Sequence, residues 1–207
     1  MSEVTPVVFV VDDDVSVRES LEALIETAGW RTKTFATALD FLDTGHEASP
    51  SCLVLDVSLP GLSGLDLQHR LRDRRDLPII FITGYGDIPM SVQAMKAGAV
   101  EFLTKPFSDD ALLGAISRAI ESSTRVLDRE SELQQLRQAY ASLSLRERQV
   151  MARVVSGRLN KRIGTELGIS VITVKAHRGQ VMRKMNADSL ADLVRKAAAL
   201  DLAAPDG

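Results

Sequence analysis

Cys52-Leu53-Val54-Leu55-Asp56-Val57-Ser58-Leu59-Pro60-Gly61 sets four apolar residues directly before a carboxylate and a Pro-Gly turn. A short unbroken apolar run bounded by turn residues reads as a strand buried on both faces. A charge at the carboxyl end of such a strand is costly unless something pairs with it. Parallel sheets bind their ligands at that edge, so the other strand ends show what Asp56 meets.

Working outward, strand and helix patterns alternate. Val7–Val11 is a second continuous apolar run; Ser16-Val17-Arg18-Glu19 reads as a capping box for a helix closed by Gly29. A strand over Arg31–Phe35 and a short helix over Thr37–Asp43 precede the opening strand. A helix over Gly64–Arg74, a strand through Pro78–Ile82, a helix over Ile88–Ala97, a strand over Glu101–Leu103 and a helix from Ser108 follow it. This (βα)5 alternation predicts an α/β fold, a doubly wound parallel sheet wrapped by helices on both faces, within residues 1–122.

Asp12 and Asp13 follow the first strand, Asp56 ends the third, Thr83 ends the fourth, and Lys105 follows the fifth. All fall at one sheet edge. Converging carboxylates repel one another, and a hard divalent cation with oxygen ligands, Mg²⁺ above all, resolves the repulsion. Lys105 supplies a point charge and Thr83 a hydroxyl, both suited to phosphoryl oxygens. The set fits phosphoryl transfer to a carboxylate. Each acid alone is equally an N-cap, and Asp14 is at or beside one; only the combination points to chemistry.

Charge divides the chain. Residues 1–122 carry 10 Lys+Arg against 19 Asp+Glu, residues 123–143 carry 3 of each, and residues 144–207 carry 12 against 6. An acidic half joined to a basic half implies two domains, the second facing a polyanion. Between them, Val126, Leu127, Leu133, Leu136, Tyr140 and Leu143 recur at spacings of three and four, which predicts a helical linker over 123–143. No apolar run reaches the roughly 18 residues of a membrane span. The N-terminus lacks signal-peptide regions, and Cys52, the single cysteine, reads as a core thiol, so the cytoplasm is the expected location.

Residues 144–207 read as a small all-α domain of four helices. Ser144-Leu145-Arg146-Glu147 is a capping box, Asn160 is placed as cap of Lys161–Leu167, Ser170 as cap of Val171–Met185, and Ser189 as cap of Leu190–Leu200. The tight Gly168-Ile169-Ser170 turn gives a helix-turn-helix. At about 100° per residue, Val171, Val174, Val181, Met182 and Met185 form the buried face of the third helix. Thr173, Lys175, Ala176, Gly179, Gln180 and Arg183 lie beside or opposite that face. Small Ala176 and Gly179 let the helix sit close to base edges; Lys175 suits guanine, Gln180 adenine, and the Ala176 methyl a thymine methyl. Asn160, Lys161 and Thr173 are placed on phosphates. Arg178 is expected to pair internally, with Glu147 as the candidate partner, and His177 to pack. For Lys161, Arg183 and Lys184 the plain alternative is a solvated charged face.

Val10-Val11-Asp12-Asp13-Asp14, Asp56 with Leu59-Pro60-Gly61, Thr83-Gly84 and Thr104-Lys105-Pro106 resemble the receiver domain of bacterial response regulators. The resemblance implies that Asp56 accepts phosphate from a sensor histidine kinase. Asp13, Asp56 and the Ser58 carbonyl would hold Mg²⁺, with Asp12 in the outer shell, and Thr83 and Phe102 would be the switch pair. It also implies a cis peptide at Lys105-Pro106. Ser58 and Tyr85 depart from close relatives at positions flanking the attacking water; small Ser58 leaves that path open, and a short-lived phosphate is expected.

Leu143–Val150, Asn160–Ile163, Thr173-Val174-Lys175-Ala176-His177 and Ser189–Val194 resemble the LuxR-type DNA-binding domain, and the whole chain resembles a FixJ/NarL-type response regulator. In that family Lys175, Ala176 and Gly179 match positions facing double-stranded promoter DNA. The last helix, with Leu193 and Ala197, pairs two copies. The implied function is regulation of transcription, more activation than repression, with a homodimer formed on phosphorylation, RNA polymerase as a further partner and no separate enzymatic substrate. Two rivals compete. A phosphoaspartate hydrolase would place a second Asp where Ser58 stands; a constitutive DNA binder with a vestigial receiver would take up no phosphate from acetyl phosphate.

Overall fold

The computed structural model describes residues 5–43, 49–84 and 88–201. The chain forms two compact units, Met1–Asp128 and Arg129–Gly207. In the first, strands β1 (Val7–Val11), β2 (Arg31–Phe35), β3 (Ser51–Asp56), β4 (Ile79–Thr83) and β5 (Glu101–Thr104) alternate with helices α1 (Val15–Thr27), α2 (Ala38–Leu42), α3 (Gly64–Arg70), α4 (Ile88–Lys96) and α5 (Asp109–Ala141), whose residues from Arg129 on belong to the second unit. The sheet is parallel throughout, in the order β2-β1-β3-β4-β5. The chain therefore leaves β1 towards β2 on one side and runs through β3 to β5 on the other. The crevice where these directions part lies beyond the carboxyl ends of β1 and β3.

The apolar runs are continuous because both faces of the sheet are covered. Side chains alternate across a strand, so Val7, Phe9, Val11, Leu53, Leu55, Ile79 and Phe81 meet Ala38, Phe41, Leu67 and Ala94 on one face. Val8, Val10, Cys52, Val54, Ile80 and Ile82 meet Leu21 and Ile25 of α1 and Leu112, Ala115, Ile116 and Ala119 of α5 on the other. Burial pushes the Cys52 thiol far up, so it is the core thiol expected. Ser123, fully buried, donates to the Asp76 carbonyl at 2.5 Å and accepts from the Ser51 N–H at 3.0 Å, fastening α5 to the start of β3.

Helix starts differ from expectation in one place here. The N-cap of α1 is Asp14, whose carboxylate accepts from the Ser16 N–H at 2.8 Å, rather than a box begun by Ser16. Helix α3 ends at Arg70, short of Arg74, because residues 71–77 form turns and Arg74 chelates Asp76.

The second unit holds α6 (Leu145–Val155), α7 (Asn160–Leu167), α8 (Val171–Lys184) and α9 (Leu190–Ala199). Leu143, Val150, Met151, Val154, Ile163, Val174, Val181, Met185, Leu193 and Ala197 make its core, with Leu136, Ala139 and Tyr140 of α5 packed against it. Capping by Ser144, Ser170 and Ser189 is as read from the sequence, including the reciprocal Ser144–Glu147 box. The α7–α8 turn is close-packed: a Cβ on Gly164 would lie 2.8 Å from the Ile169 carbonyl oxygen.

Several side chains sit elsewhere than expected. The N-cap of α7 is Leu159, and the Asn160 amide oxygen instead accepts from Arg178 at 3.4 Å, leaving Glu147 to Lys184 at 2.7 Å. Val171 is exposed rather than buried. Leu193 and Ala197 point into the unit's own core, so the large exposed apolar residues of α9 are Leu190 and Val194.

Candidate functional site

Strand register assembles the acidic crevice. Val11 stands opposite Leu55, so Asp12 arrives beside Asp56; Asp56 stands opposite Ile82 and Thr83 opposite Thr104, which brings Lys105 to the same edge. Carboxylate oxygens of Asp12, Asp13 and Asp56 all lie within 4.8 Å of one another, a set able to hold a metal ion. Asp12 and Thr83 are fully buried, Asp56 nearly so, and Asp13 exposed.

Lys105 bridges the two buried acids, its Nζ lying 2.7 Å from Asp12 Oδ2 and 3.0 Å from Asp56 Oδ2. Its backbone N–H donates to the Thr83 carbonyl at 2.8 Å, and the Lys105-Pro106 peptide is cis, as expected. Asp56 Oδ1 accepts from the Ser58 N–H at 2.9 Å, so each Asp56 oxygen has one donor. Burial raises the Asp12 carboxyl above its ordinary value, although Lys105 and the Asp14 N–H pull against it. Burial would lower the Lys105 ammonium, yet the hydrogen bonds it donates to Asp12 and Asp56 raise it. A buried carboxylate that resists ionisation, next to two others, is an environment that a hard cation relieves. The donor set therefore fits a divalent metal.

Phe102 is half-buried, with its ring centroid 6.1 Å from that of Phe81. Ser58 is exposed; Tyr85 lies outside the described residues. Two contributors escaped the sequence reading. Arg18, one turn into α1, donates to the Asp12 carbonyl at 2.6 Å. Gly64, at the start of α3, donates its N–H to the Val57 carbonyl at 3.0 Å directly behind the acceptor.

In the second unit, Lys175, Ala176, Gly179, Gln180 and Arg183 of α8 are exposed, opposite buried Val174 and Val181. Thr173 is half-buried, its hydroxyl 2.8 Å from the Ser170 hydroxyl. Arg183 donates to the Gln180 side chain, and Lys161 is exposed. Lys184 is no solvated charge, since it pairs with Glu147. Glu166 gathers Arg153, Arg158 and Arg162, so much of the basic surplus is tied down.

Residues 8–117 match the model of the response regulator receiver domain, and residues 141–197 match that of the luxR family of bacterial regulatory proteins. Nodulation protein W of Bradyrhizobium diazoefficiens is 48% identical over 96% of this chain and 88% of its own length. The transcriptional regulatory protein FixJ of Azorhizobium caulinodans is 42% identical over all of this chain and 98% of its own. Among solved structures, the response regulator StyR aligns with a TM-score of 0.84 at 47% identity, over 94% of this chain and 98% of that one. The strand-end acids, the parallel sheet and the basic helix-turn-helix are thus those of one lineage: the chain belongs to the two-component response regulators, with a receiver domain followed by a luxR-family DNA-binding domain, and it regulates transcription.

Proposed function

We propose that Asp56 is phosphorylated by a partner histidine kinase, and that this gates dimerisation and sequence-specific binding of α8 to promoter DNA, with activation of transcription through RNA polymerase as the output. The observation that carries it is the pair of buried acids Asp12 and Asp56, bridged by Lys105 at the sheet's switch point, next to exposed Asp13. Asp56 is the acceptor: its carboxylate oxygen bonds to phosphorus as the bond to the donor histidine nitrogen breaks. Lys105 then exchanges a carboxylate partner for a phosphoryl oxygen, and Thr83 supplies a hydroxyl to the same group. Mg²⁺, held by Asp13, Asp56 and the Ser58 carbonyl with Asp12 behind them, would neutralise charge on the phosphoryl oxygens. Thr83 and Phe102 carry the change of charge into the β4–β5 side of the unit. The protein works in the cytoplasm and turns over no substrate apart from its own phosphate. Of its proposed DNA contacts, Lys175, Ala176, Gly179, Gln180 and Arg183 are exposed on α8, and Lys161 is exposed on α7.

The test is DNA binding by the full chain with acetyl phosphate and Mg²⁺. Asp56→Ala should abolish the stimulation and the mass increase of one phosphoryl group. Stimulation undiminished in that variant overturns the switch, and native protein that takes up no phosphate leaves a constitutive binder.

A further inference from the structure

We infer that Ile172 is a specificity-determining residue, reading the C5-methyl group of a thymine in the major groove. The inference rests on the reading of α8 as the DNA-facing helix. A single exposed apolar side chain is ordinary on a protein surface, and what distinguishes Ile172 is its position. It is 80% exposed and belongs to no apolar cluster of its unit. Taking buried Val174 as the inward direction, Ile172 and Ala176 each lie about 160° away around the helix, Gly179 about 140° and Arg183 about 180°. These four make the outermost line of α8.

Along that line the side chains are graded. Gly179 has none, Ala176 has one methyl, and Arg183 is drawn sideways to Gln180. Ile172 is the only bulky apolar group on the line, and it stands in the first turn, one residue after Val171 and two after the Ser170 cap. The first turn of a recognition helix is the part that meets base edges. A β-branched side chain in a helix holds one χ1 rotamer for most of the time, so the group is presented with little freedom left to lose. It has no donor or acceptor. Among the features that base pairs display in the major groove, the thymine methyl is the only apolar one. Against cytosine it would strip water from the N4 amino group and offer nothing in exchange, which disfavours that base.

Ile172 thus adds a reader that the polar residues of α8 cannot supply. The experiment starts from the full chain treated with acetyl phosphate and Mg²⁺, used to select binding sites from random duplexes. In the selected site each thymine is then replaced singly by deoxyuridine, which removes only the methyl group. Besides any thymine met by Ala176, one replacement per docked α8 should weaken the native protein about fourfold, the value of burying one methyl-sized group. At that position Ile172→Ala should bind the thymine and deoxyuridine duplexes equally, while Leu145→Ala, at an exposed apolar residue of α6, should keep the native sensitivity. Native protein indifferent to every replacement, or an Ile172→Ala variant that keeps every native sensitivity, overturns the assignment to Ile172. Selection that yields no preferred sequence overturns the reading of α8 itself, and with it this one. Melting temperatures of the variants equal to native confirm that an exposed residue, not the fold, was changed.

Discussion

Asp56 is held from behind as much as from the front. Its side chain meets Lys105 and the Ser58 N–H, while its backbone carbonyl lies against Gly64, where a Cβ would run into that oxygen and come 3.0 Å from the Val57 Cα. No flexible side chain is available there to give way, since both obstacles are backbone. Gly64→Ala should therefore cost about 1–3 kcal/mol of receiver stability, the usual penalty of overpacking. Because the displaced atoms are those of the acceptor itself, uptake of phosphate from acetyl phosphate should slow as well. Denaturant titration of the full chain and time-resolved intact mass check the two effects. Wild-type stability with wild-type labelling would show that Gly64 does not set the position of Asp56. The same residue-scale view explains the electrostatics of the crevice. Asp12 is buried enough to resist ionisation, and Lys105 is the charge that makes its ionised form tolerable.

Elements in the second unit are tied at their ends. Glu147, in the first turn of α6, accepts from the Ser144 N–H and from Lys184 in the last turn of α8, both at 2.7 Å. The Lys184 hydrogen bond, with the Ser144 N–H next, holds the Glu147 carboxyl below its ordinary value of 4.5. A carboxyl with a depressed folded-state value stabilises fully above its unfolded value, and the contribution is lost as pH falls through the folded one. Glu147→Gln should thus lower the melting temperature of this unit by a few degrees at neutral pH, and the gap to native should close as pH drops below 4.5. Calorimetry across that range measures it, and a gap that persists in acid would assign the loss to packing. The Ser144–Glu147 box was legible in the sequence because a cap is decided within four residues. The cap assigned to Asn160 was not, because its amide oxygen is claimed by Arg178, a partner from another helix. Val171 shows a related limit: a helical wheel gives the direction of a side chain, not whether a neighbouring element reaches it.

At the scale of the molecule, the strand ends were the most readable feature. Apolar runs mark strands, a run's last residue marks the sheet edge, and parallel register gathers those ends whatever the loops do. That is why the sequence alone places Asp12, Asp13, Asp56, Thr83 and Lys105 together. Arg18 and Ser123 could not, since each matters through a backbone oxygen that only the folded chain brings near. The basic second unit was legible as a sum, but the sum misleads about how its charges are used. Glu166 engages three arginines, Glu147 engages Lys184, and Asp192 engages Arg195 and Lys196. Among the described residues, Lys161, Lys175 and Arg183 are the outward cations near α8 with no carboxylate partner shown. Each phosphate neutralised by a free cation releases close to one condensed counterion, so the logarithm of affinity should fall against the logarithm of salt concentration with a slope of about −3 per bound copy. Titrations at several salt concentrations give that slope directly, and Lys161→Ala should make it shallower by about one. A slope near twice that size would mean that the arginines around Glu166 leave their carboxylate for DNA. The three-arginine cluster is in that sense a brake on indiscriminate adhesion: it keeps nonspecific attraction to any duplex modest and leaves discrimination to the bases.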